Sequence, residues 1–184
     1  MQAEQKKQRK EIEYIKESIK SWGTSFGNNP LENEKDLLLQ SELFTSTFPL
    51  NSMEAVEAME KKLKEDKEFA KKIFKALKTV GGDCAVSTTN NMLNKIFSNT
   101  CAQGFSFKGQ GKDTKPLKKL YLMVMVKFIT RLNYPTVSDE SFKKTVTNWK
   151  KNTRQRIKTP AKLDAKEAEN VADADDLGFL INKF

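Results

Sequence analysis

The side chains best suited to chemistry lie on one stretch, Ser141 to Lys158, which reads Ser-Phe-Lys-Lys-Thr-Val-Thr-Asn-Trp-Lys-Lys-Asn-Thr-Arg-Gln-Arg-Ile-Lys. Placed on a helix at about 100° per residue, Phe142, Val146, Trp149, Thr153 and Ile157 fall in one stripe about 80° wide, the expected core face. Lys143, Thr147, Lys150, Arg154 and Lys158 form a neighbouring row, and Lys144, Asn148, Lys151 and Gln155 form the next, opposite the core. The chemistry of these rows is anion recognition. Lysine and arginine neutralise phosphates and release their counterions. Asn148 and Gln155 carry the paired donor and acceptor that can read an adenine edge, and Lys or Arg can read guanine. The helix start at Ser138 adds a dipole that favours a phosphate. The plainer alternative is a solvated basic face that only keeps the helix soluble.

The charge distribution favours the polyanion reading. The chain of 184 residues carries a net +9. Residues 1–107 hold 16 Lys/Arg against 15 Asp/Glu, residues 108–158 hold 14 against 3, and residues 159–184 hold 3 against 6. A segment this one-sided concentrates an attractive field for a polyanion. The stretch from Glu54 to Lys78, by contrast, interleaves both signs, as a merely solubilised surface does. Lys112 and Lys115 join the candidate nucleic-acid contacts, from a glycine-containing loop at 108–116 that could touch a DNA backbone.

Catalysis finds little support. There is no histidine, so Ser-His and Cys-His pairs and His-ligated metals are excluded. Cys84 and Cys101 do not form a Cys-x-x-Cys pair, and a structural zinc site usually takes four Cys or His ligands. Both are expected as buried free thiols, which suits a reducing compartment. Gly109-Gln110-Gly111-Lys112 lacks the spacing and strand-to-helix setting of a phosphate loop. No catalytic residue, metal or cofactor is expected. No apolar run approaches the roughly 20 residues that span a bilayer, and the longest, Leu120 to Ile129, is broken by Lys127. No secretory signal is visible at the N-terminus, and no membrane partner is expected.

The elements that must position the basic helix read as all-α: a compact bundle of about five helices, with an N-terminal amphipathic or coiled-coil helix and a disordered acidic tail. Residues 1–22 form the N-terminal helix. Its Ile12, Ile15, Ile19 and Trp22 follow coiled-coil spacing, which serves either self-association, as in a homodimer, or packing on the chain's own domain. Residues 23–47 read as a linker with a short helix at 34–44. Residues 48–158 form the domain, and residues 159–184 the tail, which ends with an apolar Leu177-Gly178-Phe179-Leu180-Ile181. Within the domain, Asn51 or Ser52 caps a helix from Met53 to about Lys64. The next, about Lys67 to Val80, ends at Gly81-Gly82. Ser87 or Thr88 caps a helix to about Ala102. Phe105-Ser106-Phe107 is extended. Leu117 to about Leu132 is the central core helix, stopped by Tyr134-Pro135, and Ser138 caps the basic helix, which ends at Thr159-Pro160.

A family resemblance rests on some of these residues. Leu120-Tyr121-Leu122, Phe128-Ile129, Asn133-Tyr134-Pro135, Phe142, Val146, Trp149 and Arg154-Gln155-Arg156 make Leu117 to Lys158 resemble the C-terminal half of a BEN domain. Phe48-Pro49-Leu50, Val80-Gly81-Gly82, Met92-Leu93 and Phe105-Ser106-Phe107-Lys108-Gly109 are similar to an uncharacterised invertebrate domain family of transposon-like and chromatin-type proteins. The Gly81-Gly82 connection and the extra N-terminal helix depart from a minimal BEN domain. The resemblance implies an all-α domain with DNA or chromatin-protein partners and a tendency to self-associate, and by position it places DNA contacts on Lys143 to Lys158. The resulting expectation is a non-enzymatic, nuclear DNA- or chromatin-binding module acting in transcription or chromatin regulation. The alternative is a protein-interaction or oligomerisation module that touches no nucleic acid.

Overall fold

The computed structural model describes Lys10, residues 13–21, Glu42, residues 44–110 and residues 114–175, with side chains described as far as Ile157. The chain is mostly helical, as its periodicity predicts. Residues 13–21 belong to α1 and residues 44–47 to α2. Then come α3 (Met53–Glu65), α4 (Lys67–Lys78), α5 (Ala85–Ile96) and the short α6 (Asn99–Gln103). Two-residue strands follow, β1 (Phe105–Ser106) and β2 (Lys115–Pro116), paired in parallel. A 3-10 turn (Leu117–Lys119) leads into α7 (Tyr121–Asn133) and the long α8 (Asp139–Asp175). Among the described residues no helix is long and apolar enough to cross a membrane.

Caps explain most boundaries. Ser52 Oγ accepts from Ala55 N–H at 3.1 Å and starts α3, while Asp66 accepts from Phe69 N–H at 2.9 Å and starts α4. The Gly81-Gly82 cap does not form. Thr79 ends α4 instead, and neither glycine adopts a positive φ. Gly82 serves close approach: a Cβ there would sit 2.6 Å from the Thr88 backbone nitrogen at the start of α5. Its carbonyl accepts from Tyr134 Oη at 2.8 Å, so the residue that ends α7 is tied to the α4–α5 connection.

The single helix expected from Ser87 to Ala102 is two. α5 begins earlier, capped by Cys84, and stops at Phe97, whose backbone is extended. Leu50 N–H donates to Ile96 O at 2.8 Å and Ser98 N–H to Leu50 O at 3.1 Å, so the Phe48-Pro49-Leu50 segment pairs across the break. Ser98 then caps α6 through Cys101 N–H. The expectation of two buried thiols holds for Cys101, but Cys84 is exposed at its cap.

α5 packs on both α7 and α8, and α6 packs on α8. A buried threonine pair, Thr89 and Thr130, joins α5 to α7 with hydroxyls 3.1 Å apart. One open alternative is decided and one further expectation changes. Ile15 and Ile19 are 3% and 0% exposed and belong to the same core as the rest of the bundle. They pack on the chain's own domain, the second of the two uses that their spacing allowed, and are not free for a self-association seam. Ile12 and Trp22 lie outside the described residues. The basic helix does not stop at Thr159-Pro160, since its backbone stays helical to Asp175. Proline removes one backbone donor, but the Ala-, Glu- and Lys-rich sequence after it consists of strong helix formers.

Candidate nucleic-acid interface

α8 starts where the sequence predicts. Ser138 Oγ accepts from Ser141 N–H at 3.1 Å, and Asp139 and Glu140 occupy the first turn, where negative charge suits the helix dipole. Asp139 also ties α8 to α7. Its Oδ1 accepts from Lys127 Nζ at 2.7 Å and from Arg131 Nη2. The hydrogen bond from Lys127 is the main cause that holds its carboxyl below the usual range, with the charges of Lys127 and Arg131 adding to it and partial burial opposing.

A folded pKa below the unfolded one stabilises the fold above the unfolded value near 4, and the contribution disappears as pH falls through the folded value. Because Asp139 is largely exposed, Asp139→Asn is expected to lower stability by less than about 1 kcal/mol at pH 7. The gap to the parent should shrink towards pH 2, as urea midpoints at both pH values would show.

The predicted core stripe is correct over most of its length. Phe142, Val146, Trp149 and Thr153 are 4%, 0%, 2% and 0% exposed, whereas Ile157 is 38% exposed because it lies at the edge of the bundle. Trp149 is the anchor. Its indole N–H donates to Asn94 Oδ1 at 2.7 Å, and the Phe97 ring lies 6.1 Å away. Arg156 folds back over it, with its guanidinium 5.5 Å from the indole and its Nε donating to Asn99 Oδ1 at 2.9 Å. Arg156 is thus spent on packing, and burial lowers its pKa. The sequence offered no signal for Asn94 or Asn99, which come from α5 and the start of α6.

The predicted polar rows divide. Lys143, Lys144, Asn148, Lys151 and Arg154 are exposed, and Lys150 is half-buried. Among the described residues none of these five Lys/Arg side chains has a carboxylate partner. Thr147 is half-buried, and its hydroxyl donates to Lys143 O at 2.8 Å. Gln155 is exposed but not free of partners. The Lys158 side chain and all of Lys112 lie outside the described residues. Lys115 departs from expectation: β2 holds it against α3, where its ammonium pairs with Glu57. That pairing follows from the β1–β2 ladder, in which Lys115 N–H donates to Gly104 O at 3.0 Å. Lys118, two residues past β2, lines the same groove as Lys143 and so brings the basic turn beside α8.

The surface this creates is one helix with a dry face locked into the bundle and a cationic face turned outward. Among the described residues no cluster of His, Cys, Asp and Glu could hold a metal ion. No curated protein and no solved structure matches the chain. Residues 42–132 match the model of a domain of unknown function (DUF4806), so the similarity covers the bundle from α2 to the last turn of α7 and ends before the basic helix.

Proposed function

We propose that the chain is a non-enzymatic nucleic-acid-binding module whose α8 lays its cationic face against duplex DNA, in the setting of nuclear transcription or chromatin regulation. One observation carries the reading. Phe142, Val146, Trp149 and Thr153 are buried while Lys143, Lys144, Lys151 and Arg154 on the other side are exposed and lack carboxylate partners among the described residues. Binding therefore need not disturb folding. Cations left without acidic neighbours keep their full attraction for phosphate, and a rigid helix has the dimensions of the major groove. The resemblance of Leu117 to Lys158 to a BEN domain supports the same face. The competing interaction-module reading is weakened where it was most specific, because Ile15 and Ile19 are buried in the chain's own core.

A salt titration of binding to a short duplex tests the proposal. Affinity should fall steeply and linearly in log–log form as salt rises. Replacing Lys150→Ala together with Arg154→Ala should reduce the slope by roughly 2, because two phosphate contacts are lost. Absence of binding at low salt, or a slope that the double substitution leaves unaltered, rejects it.

A further inference from the structure

We propose that a groove beside the first turn of α8 is a docking site for residues 173–181 of a second copy of this chain. The groove encloses about 500 Å³ between α7, α8 and the segment after β1. Phe107, Met123, Val124 and Phe142 supply an apolar floor, and Lys118 and Lys143 stand on its rim. Phe107 and Val124 are only partly covered by the rest of the core. Asp139 also lines the groove, but its charge is taken up by Lys127 and Arg131. Glu140 is the one remaining acid of the lining, against Lys118 and Lys143, neither of which has an acidic partner among the described residues. Lys16, also on the rim, pairs with Glu13 at 3.4 Å. The groove therefore suits a short segment that is acidic at one end and apolar at the other.

The chain contains such a segment. Residues 173–181 read Asp-Ala-Asp-Asp-Leu-Gly-Phe-Leu-Ile, with three carboxylates followed by four large apolar side chains. The carboxylates complement the lysine rim, and Leu177, Phe179, Leu180 and Ile181 offer apolar surface to the floor.

Reach decides between the same chain and another. Lys143 lies at the groove, and α8 runs on from it to Asp175. At about 1.5 Å per residue those 32 residues carry the chain about 48 Å away. The six residues from 176 to 181 can return about 20 Å when fully extended. A proline kink of a few tens of degrees at Pro160 shortens the gap by only a few ångström. The segment therefore reaches the groove of a neighbour, not its own. The contact joins unlike surfaces, so it closes as a dimer when two copies exchange their tails and otherwise leads to rings or open chains. A groove of this size supports a transient contact, on the order of micromolar or weaker.

The test reads self-association and a peptide titration without nucleic acid, so its outcome is independent of the DNA reading. The full chain should show a weight-average mass that rises with concentration in sedimentation equilibrium, and Leu177→Asp with Phe179→Asp should abolish the rise. A labelled peptide of residues 173–184 should then bind that double variant saturably. Adding Lys118→Glu and Lys143→Glu should weaken the peptide on the order of tenfold. Lys72→Glu with Lys95→Glu makes the same change in net charge on α4 and α5, and should have a much smaller effect. The proposal is overturned by a peptide that does not bind, or by equal weakening in the two charge-reversed pairs. It is equally overturned by a full chain that stays monomeric at every concentration while only the tail-substituted form takes up peptide, the signature of occupation within one chain.

Discussion

Trp149→Ala is expected to lower the stability of the fold by about 4 kcal/mol, the size typical of removing a large, fully buried aromatic. The indole is 2% exposed and sits between the Phe97 ring and the Arg156 guanidinium. Phe97 in turn packs on Phe105, with ring centroids 5.7 Å apart. The vacated space therefore opens beside Phe97, where α5 and α6 pack on α8. Asn94→Ala separates the polar part from the packing part. It removes the acceptor of the indole N–H and should cost about 1 kcal/mol. Urea unfolding followed by helical circular dichroism measures both. A Trp149→Ala loss no larger than the Asn94→Ala loss would show that Trp149 does not anchor α8. Duplex binding by the Trp149→Ala variant should fall with its folded fraction, since the cationic rows depend on this anchor for their direction.

Glu60→Ala is expected to cost about 3 kcal/mol, more than its position on a charged helix suggests. Glu60 lies on α3 and is 9% exposed. Its two carboxylate oxygens accept from Tyr121 N–H at 2.6 Å and Leu122 N–H at 3.1 Å, the first two donors of α7. α7 has no cap from its own neighbouring residue, because Leu120 holds the cap position. Glu60 thus caps the central helix from a distance, and its negative charge faces the positive end of the helix dipole. Truncation leaves two buried donors without an acceptor. Glu60→Gln keeps one acceptor oxygen but puts a donor beside an N–H, so its loss should fall between that of Ala and the parent. Midpoints from urea melts at pH 7 rank the three, and a Gln variant as weak as Ala would mean that the charge matters little. The same carboxylate affects its neighbour. The Tyr121 hydroxyl is pushed up to about 12, first by burial and then by the charges of Tyr14 and Glu60.

Much of the architecture was legible because helix faces and caps are local. The stripe Phe142, Val146, Trp149 and Thr153 follows from a 3.6-residue period, and all four are buried as that period requires. Ser52 and Ser138 announced their helices by residue type and position. The separation of a cationic face from an apolar face on α8 was likewise contained in the order of residues. Local signals failed where a distant backbone competed. Near Phe97 the sequence offers no glycine or proline stop, only Ser98 as a cap for the next helix. The break exists because Leu50, 47 residues earlier, pairs with Phe97. The glycines at 81 and 82 resemble a helix stop, but Thr79 ends α4 and Gly82 is needed where the start of α5 passes within contact distance.

The sequence by itself determined that the chain is helical, that its positive charge is concentrated in residues 108–158, and that one helix carries that charge on the side away from its core face. These follow from composition and periodicity, which need no knowledge of the neighbours. Only the tertiary structure decided which of those cations are spent and which remain exposed. It placed Lys115 on Glu57, Lys127 and Arg131 on Asp139, and Arg156 on Trp149 and Asn99, and it left Lys143, Lys144, Lys151 and Arg154 exposed. It also buried Ile15 and Ile19 in the bundle, taking them from the seam their spacing also allowed. The physical reason is common to these cases. An ion pair or a buried apolar contact depends on which surfaces meet in space, and each of these pairings except Arg156 with Trp149 and those within the α7–α8 corner joins residues far apart along the chain.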